Sequence, residues 1–170
     1  MGEGRMKKIL IGLFVIIFVV CSSLLSTPLT ETEKETIKNE VKTAFHAMLD
    51  ACNKIDVNTG LQLYWNSPDF MGISLDGTII DYEQFKKANE EYFAAIASHK
   101  FVTLKEYITI LEDNLILHSW QGSSESIQKT GEKMTFSNLG ITSLFRKIEG
   151  LWKVIYYHES AMPPVITTSK

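Results

Sequence analysis

The chain has 170 residues, with 17 lysines and arginines against 20 aspartates and glutamates and a formal net charge of −3. This length is enough for one ordinary domain with its own hydrophobic core. Nucleic-acid binding requires a basic face, and the acidic balance of the chain argues against that class of function.

The N-terminal segment has the pattern of a secretory signal. Arg5, Lys7 and Lys8 precede an uncharged run, Ile9–Ser26, whose most apolar part reads ILIGLFVIIFVV. A basic segment, an apolar segment and small residues after it are typical of a signal peptide. We therefore predict that residues 1–26 are a signal peptide and that the protein is exported, to the periplasm or the extracellular space.

Two other interpretations of this segment stay open. An uncharged run of this length is close to the shortest that spans a bilayer, which makes it a candidate membrane anchor. Cys21 is a candidate lipidation site, although Val20 stands where a lipobox has a small residue. Beyond this segment Cys52 is the one cysteine, and its place on the apolar side of a predicted helix favours a small buried residue over a nucleophile.

Three helices are predicted in the domain that follows. Residues 27–32 read as a linker and residues 33–160 as the domain. The first helix runs to about Lys54, because its apolar residues recur at steps of three and four: Ile37, Val41, Phe45, Met48 and Cys52. Asp56 caps a second, short helix, and Asp81 begins a third.

The strands follow a different pattern. Phe70–Leu75 and Thr78–Ile80 form a hairpin around Asp76-Gly77. After Ser98 come four long β-rich runs, which are Lys100–Leu111, Leu115–Gly122, Lys133–Lys147 and Leu151–Ser160. We predict a loop at the polar segment Ser123–Gly131 and a loose tail at Ala161–Lys170. Helices segregated from an antiparallel meander indicate an α+β fold, three helices on a curved sheet with a cavity between them.

The last predicted strand carries unusual side chains. Trp152, Val154, Tyr156, His158 and Ser160 occupy alternate positions. Side chains of a regular strand alternate between faces, so these five are expected to share one face. An indole, a phenol, an imidazole and a hydroxyl together suggest the wall of a partly polar pocket for a small molecule.

The chain resembles a known superfamily in three places. These are the run LYWNSPDF at residues 63–70, Asp76-Gly77, and the run GLWKVIYYHES at residues 150–160. In them, and in its order of elements, the chain resembles the NTF2-like (cystatin-like) superfamily, and within it the SnoaL-like and DUF4440-type domains. The resemblance implies a cone-shaped α+β fold and frequent dimerisation. It does not select among isomerases, dehydratases, binding proteins and oligomerisation modules.

The best-understood catalytic members of that superfamily test the resemblance. Ketosteroid isomerases use a carboxylate base after the second helix, and a tyrosine with a protonated aspartate as the oxyanion hole. The base position corresponds to Gly72–Ser74, the second acid to a position near Ile141, and the tyrosine to Phe45 or His46. None of these positions carries the residue type that the isomerases use, so the sequence lacks that proton-transfer machinery at the corresponding positions.

His158 is the one candidate catalytic residue, because a neutral imidazole can act as a base. A structural histidine at the sheet edge is the alternative, and no catalytic residue is assigned. The predicted ligand-binding residues are Trp65, Trp120, Asn138, Tyr156 and His158. Asp50 is a possible acidic partner, and His99 is expected in a solvated turn. The four histidines have no metal-ligand spacing, so neither a metal nor a cofactor is predicted.

Three functions follow from these observations. The first is an exported homodimer that binds a small, partly apolar molecule between its helices and sheet. The second is a lyase, isomerase or hydrolase with His158 as general base. The third is a dimeric interaction module without a ligand. No nucleic-acid partner is expected, and membrane contact is limited to the N-terminal segment if that segment is retained or lipidated.

Overall fold

The computed structural model describes residues 28–168, and the predicted signal segment lies outside them. The described residues form three helices, which are α1 (Glu31–Asn53), α2 (Val57–Leu61) and α3 (Tyr82–Ala95). Seven strands complete the fold: β1 (Met71–Ile73), β2 (Ile79–Ile80), β3 (Ile96–Glu112), β4 (Leu115–Gln128), β5 (Glu132–Ile148), β6 (Leu151–Ala161) and β7 (Val165–Thr168). None of the described helices has the length and hydropathy of a membrane span.

The helices form where the sequence predicts them. The apolar stripe of α1 is buried at Val41, Phe45, Met48 and Cys52. The carboxylate of Asp81 accepts a hydrogen bond from the backbone N–H of Gln84, whose side chain in turn accepts one from the N–H of Asp81. This capping box fixes the start of α3. The side chain of Asp56 likewise accepts from the N–H of Thr59 and caps α2.

One curved mixed sheet contains all seven strands. Its order is β2-β1-β6-β5-β4-β3, and β7 pairs with the part of β5 that β6 does not cover. Every pairing is antiparallel except that of β1 with β6. The helices pack against one face of this sheet, and the core lies between them. The prediction of an α+β fold with helices on a mainly antiparallel sheet is confirmed.

Two predicted irregular segments are partly strands. The polar segment Ser123–Gly131 was predicted to be a loop, but β4 continues to Gln128 and pairs with both neighbours. Ser124 and Ser126 are buried on its inner face, so small polar residues mark a polar part of the interior here. The predicted loose tail likewise contains β7, because residues 132–135 of β5 offer it unpaired backbone groups.

A β-bulge interrupts the last long strand. Leu144 of β5 opposes Tyr156, whereas the next residue, Phe145, opposes Val154. Ile155 is therefore an extra residue on β6, and one extra residue reverses which face the following side chains occupy.

The bulge overturns the predicted shared face. Trp152 and Val154 are buried as expected, but the next buried side chain is Tyr157 rather than Tyr156. His158 and Ser160 are exposed on the other side of the sheet. The prediction of one common face is thus wrong beyond Val154, and Glu159 takes the inward position that was assigned to His158.

Two glycines make room for aromatic rings of the inner face. A Cβ atom on Gly72 of β1 would lie 2.2 Å from Cε1 of Tyr157. A Cβ atom on Gly122 of β4 would lie 2.2 Å from Cζ2 of Trp120. Both rings therefore occupy the space that the side chain of any larger residue would need.

Candidate functional site

A cavity of about 240 Å³ lies between the helices and the inner face of the sheet. Most of its wall is aliphatic or aromatic, with all three helices and five of the strands contributing. The wall residues that carry hydrogen-bonding or ionisable groups are Cys52, Tyr64, Ser74, Asn89, Tyr92, His99, Ser124, Tyr157 and Glu159. An apolar pocket with few polar groups is the usual form of a small-molecule site.

Glu159 is the one acidic residue of the cavity wall. Its backbone pairs with Ile141, and the bulge at Ile155 turns its side chain inward. Within residues 28–168, its carboxyl group has no hydrogen bond and no salt bridge. Burial raises the pKa of Glu159 to about 7, because an apolar environment disfavours the charged form. This side chain therefore changes charge close to neutral pH.

Three weakly acidic groups surround that carboxyl and stay neutral. Burial raises the pKa of the Cys52 thiol to about 12, and the negative field of Glu159 adds to this shift. Burial and Glu159 likewise raise the pKa values of Tyr64 and Tyr157. Of these four groups, Glu159 alone titrates in the physiological range.

His99 lies in the same wall, not in the solvated turn predicted for it. β3 begins at Ile96, directly after α3, so His99 is an inward strand residue opposite Ser126. Its ring packs edge-on against Phe101, with centroids 4.4 Å apart, and its Nδ1 has no hydrogen-bond partner among the described residues. Burial lowers the pKa of His99 to about 4, and the imidazole is therefore neutral at pH 7.

The five predicted ligand-binding residues lie outside this wall. Tyr156 and His158 face away from it because of the bulge. Asn138 is exposed on β5, where its Oδ1 accepts a hydrogen bond from the side chain of Gln121. Its neighbour Leu139 faces inward instead and lines the cavity.

The two predicted tryptophans contact other parts of the fold and do not line the cavity. Trp120 is buried, but its indole lies over Gly122 and donates a hydrogen bond to Oγ1 of Thr103. Trp65 follows α2, where its backbone N–H donates to the carbonyl of Val154 and its side chain borders a surface groove. Neither indole reaches the cavity. Asp50, the suggested acidic partner, is exposed on α1.

A second cluster of titratable groups lies between α1 and the sheet. Glu106 of β3 is hydrogen-bonded to Nε2 of His118 at 2.8 Å and to Nε2 of His46 at 3.2 Å. Nζ of Lys42 lies 3.4 Å from the same carboxylate. Burial opposes ionisation of Glu106, but the hydrogen bonds to both histidines outweigh it and lower its pKa.

This cluster is separate from the cavity wall. His118 is fully buried, its ring packs on Phe45 with centroids 4.3 Å apart, and burial lowers its pKa. The cluster therefore joins α1 to the sheet. Within the described residues, no group of three or more His, Cys, Asp or Glu is arranged to hold a metal ion.

Sequence reasoning missed Glu159, Tyr157 and His99 as wall residues. Strict alternation from Trp152 places Glu159 outside, and only the pairing of β6 with β5 reveals the extra residue. One local signal was present, since Glu159 is the one acid in the β-rich run Leu151–Ser160. For His99, the local signal was that no turn-forming residue separates the end of α3 from the start of β3.

The cavity holds a carboxyl group beside the position that corresponds to the second acid of ketosteroid isomerases. That resemblance implied an acid near Ile141, a position that is apolar in this chain. Ile141 pairs directly with Glu159, and both line the cavity. A carboxyl group therefore enters this part of the cavity from the neighbouring strand.

Comparisons with known proteins agree with the fold. Residues 41–164 match the family model of the SnoaL-like domain. Comparison with curated protein sequences gives no match. Among solved structures, a protein proposed to be a scytalone dehydratase, from Novosphingobium aromaticivorans, is similar at a TM-score of 0.73 and 7% identity, over 83% of this chain and 94% of that one.

Two further structures have the same fold. A hexachlorocyclohexane dehydrochlorinase is similar at a TM-score of 0.69 and 7% identity, over 83% of this chain and 95% of that one. An NTF2-like superfamily protein from Salmonella enterica is similar at a TM-score of 0.67 and 17% identity, over 76% and 93%. Identities this low establish the shared fold and nothing about activity.

Proposed function

Because this chain belongs to the SnoaL-like domain family of the NTF2-like superfamily, we propose that it binds a small, largely apolar molecule in the cavity between its helices and sheet. The observation that carries the proposal is the position of Glu159, an unpartnered carboxyl in a wall that is otherwise mainly aromatic and aliphatic. Apolar walls supply affinity, and a few polar groups fix the orientation of a ligand.

The energetic cost of this arrangement supports a binding role. A buried carboxyl without a partner costs free energy, and a group that served stability alone would be replaced by an apolar one without loss. Perturbed ionisable groups inside clefts are enriched at functional sites. Glu159 combines both properties, whereas His158, the residue favoured by the sequence, is exposed on the opposite face.

A neutral fluorescent dye tests this proposal. N-phenyl-1-naphthylamine emits strongly only in apolar surroundings, and we expect saturable binding to the purified domain. Ala88 of α3 lines the cavity and is also exposed to solvent, so Ala88→Phe should obstruct the cavity without disturbing the core. We expect Ala88→Phe to weaken dye binding by roughly tenfold or more, equivalent to about 1.4 kcal/mol.

Ala94→Phe is the matched control, because Ala94 is exposed on the same helix and lies outside the cavity wall. It should bind the dye as the unmodified protein does. Equal effects of the two substitutions, or no saturable binding at all, would reject the cavity as a ligand site and favour an interaction module instead.

A second candidate function is an isomerisation or elimination in which Glu159 accepts a proton from a carbon of the bound molecule. In an isomerisation the proton returns to another carbon of the same molecule, and in an elimination the electron pair of the broken C–H bond forms a double bond and expels a leaving group that takes up a proton. A general base is most effective when its pKa lies near the working pH, and burial raises the pKa of Glu159 to about 7. Two similar structures carry names that denote eliminations, a dehydratase and a dehydrochlorinase. The earlier enzyme hypothesis assigned this role to His158, which lies outside the cavity.

Solvent isotope exchange separates catalysis from binding. The small molecule that copurifies with the protein is identified by mass spectrometry and returned to the protein in D₂O. A catalytic Glu159 should promote deuterium incorporation, and Glu159→Gln should abolish it, while His158→Ala leaves it unchanged. Binding with neither deuterium incorporation nor a new product in the mass spectrum would reject the catalytic candidate and leave the binding proposal standing.

Export remains part of the proposed function. The segment that supports it, residues 1–26, has a basic start and an apolar run. Expression of the full chain in a bacterium followed by fractionation tests it. We expect a shortened protein outside the cytoplasm, whereas recovery of the full-length chain in the membrane would favour the anchor interpretation.

A further inference from the structure

We infer that the cavity is selective for molecules that carry a protonated amine on a small aromatic or apolar body. This inference rests on the proposed function, because it specifies the ligand of the same cavity. Three observations support it: the charge of the wall, the rings that line the cavity with Glu159, and the lack of a partner for its carboxyl group among residues 28–168.

The cavity wall has one negative group and no basic counterpart. Glu159 is its one acid, and no lysine or arginine of the described chain lines the cavity. The imidazole of His99 is neutral, since burial lowers its pKa to about 4. A ligand cation would therefore be the first partner of the Glu159 carboxylate, and it would offset the cost of a lone buried charge.

Aromatic rings line the same cavity as the Glu159 carboxyl. The ring centroids of Tyr64 and Phe85 lie 4.3 Å apart, and those of Phe85 and Tyr157 lie 5.0 Å apart. Tyr157 and Glu159 alternate on β6, so the phenol and the carboxyl project into the same cavity. Ring faces attract ammonium groups, most strongly where water is excluded.

Other ligand charges fit this wall less well. An anion would meet the Glu159 carboxylate in apolar surroundings, where repulsion between like charges is strong. A neutral hydroxyl can donate a hydrogen bond to the carboxylate, but an ammonium group adds the Coulomb attraction of opposite charges, which is strong in apolar surroundings. The wall should therefore rank cation above neutral molecule above anion.

The ranking should depend on pH through Glu159 alone. The groups that face it are Cys52 of α1, Tyr64 after α2, Tyr92 of α3, His99 of β3 and Tyr157 of β6. Burial raises the pKa values of the thiol and the tyrosines and lowers that of the imidazole. None of these five groups changes charge between about pH 5.5 and about pH 8, whereas Glu159 does.

Three probes with one indole ring test the inference. Tryptamine is a cation, tryptophol is neutral and indole-3-acetate is an anion, and each displaces the neutral dye if it binds. At about pH 8 we expect tryptamine to bind at least roughly tenfold more tightly than tryptophol, with indole-3-acetate the weakest. The preference for tryptamine should shrink to about twofold at about pH 5.5, where Glu159 is protonated.

Glu159→Gln should abolish the preference at pH 8 and retain dye binding. Glu112→Gln is the matched control, because Glu112 is exposed at the far end of β3. The pH series on the unmodified protein gives an independent answer if Glu159→Gln fails to fold. Equal affinities of tryptamine and tryptophol, or a preference that survives Glu159→Gln, would overturn the inference.

The remaining outcomes separate this inference from the proposed function. If the dye binds but none of the three indoles displaces it, selectivity for amines is wrong and the cavity remains a ligand site. If the dye itself does not bind, both the proposed function and the inference fail.

Discussion

At the scale of single residues, Glu159 and His99 oppose each other in their effect on stability. His99 is buried and Glu159 is half-buried in the same wall, and its apolar surroundings favour the neutral form of each. Neutral glutamate is protonated, whereas neutral histidine is deprotonated. Stability from Glu159 therefore falls as pH rises, and stability from His99 falls as pH drops. Ionisation of either residue of the proposed ligand site therefore lowers the free energy of unfolding.

Glu159→Gln should isolate the contribution of Glu159 to this pH dependence. The folded pKa of Glu159, about 7, lies above its usual value of 4.5, so the folded state holds the proton more tightly than the unfolded chain. The contribution of Glu159 to the free energy of unfolding should therefore decline between about pH 4.5 and about pH 7, by on the order of 3 kcal/mol in total. Glutamine cannot ionise, so the variant should lack this decline and be the more stable protein at pH 8.

Urea unfolding at several pH values between 4.5 and 8 measures the difference. Glu112→Gln is the control, because Glu112 is exposed and lies outside the cavity wall. A difference between Glu159→Gln and the unmodified protein that stays constant with pH would show that the Glu159 carboxyl is not desolvated in the folded state.

At the scale of elements, the order of helices and strands was predictable because its signals are local. Helix stripes, the carboxylates of Asp56 and Asp81 at helix starts, and the Asp76-Gly77 turn depend on residues close in sequence. The bulge at Ile155 was not predictable, since it is defined by pairing with β5, far away in the chain. Two of the predicted site residues, Tyr156 and His158, follow that bulge, and they therefore face away from the cavity.

Gly72→Ala tests how tightly β1 fits against β6. A Cβ at this position would lie 2.2 Å from the Tyr157 ring, so either the ring or the strand must move. We expect a loss of roughly 1–3 kcal/mol in the free energy of unfolding, the usual cost of overpacking. Weaker dye binding should accompany it, because Tyr157 lines the cavity.

Gly140→Ala is the comparison within the same sheet. Its Cβ would lie 3.1 Å from Oγ of Ser160, a side chain on the exposed face that can rotate away. Urea unfolding should show a clearly smaller loss for this variant. Equal losses would mean that general strand propensity, and not the Tyr157 ring, sets the cost at Gly72.

At the scale of the whole molecule, we propose that two chains associate through the outer face of the long strands. Leu104 and Tyr107 of β3 are 59% and 67% exposed. Leu117 and Leu144 of β4 and β5 occupy paired positions on the same outer side of the sheet. Exposed apolar patches on soluble proteins commonly mark interaction surfaces.

Light scattering at micromolar concentration tests the association. The protein should have the mass of a dimer, and Tyr107→Glu should shift it toward the monomer by placing a charge in the patch. Leu151→Glu is the control, because Leu151 is 61% exposed at the turn between β5 and β6. A monomeric mass for the unmodified protein would exclude this dimer.

The single extra residue at Ile155 has a consequence for comparing this chain with its relatives. A gap-free alignment of closing strands would match Glu159 with an outward residue of any relative that lacks the bulge. In such a relative, an acid must stand one position nearer the tryptophan to enter the cavity. Insertion or deletion of one residue in this strand is therefore sufficient to exchange an imidazole for a carboxylate inside the fold, with no substitution at either position.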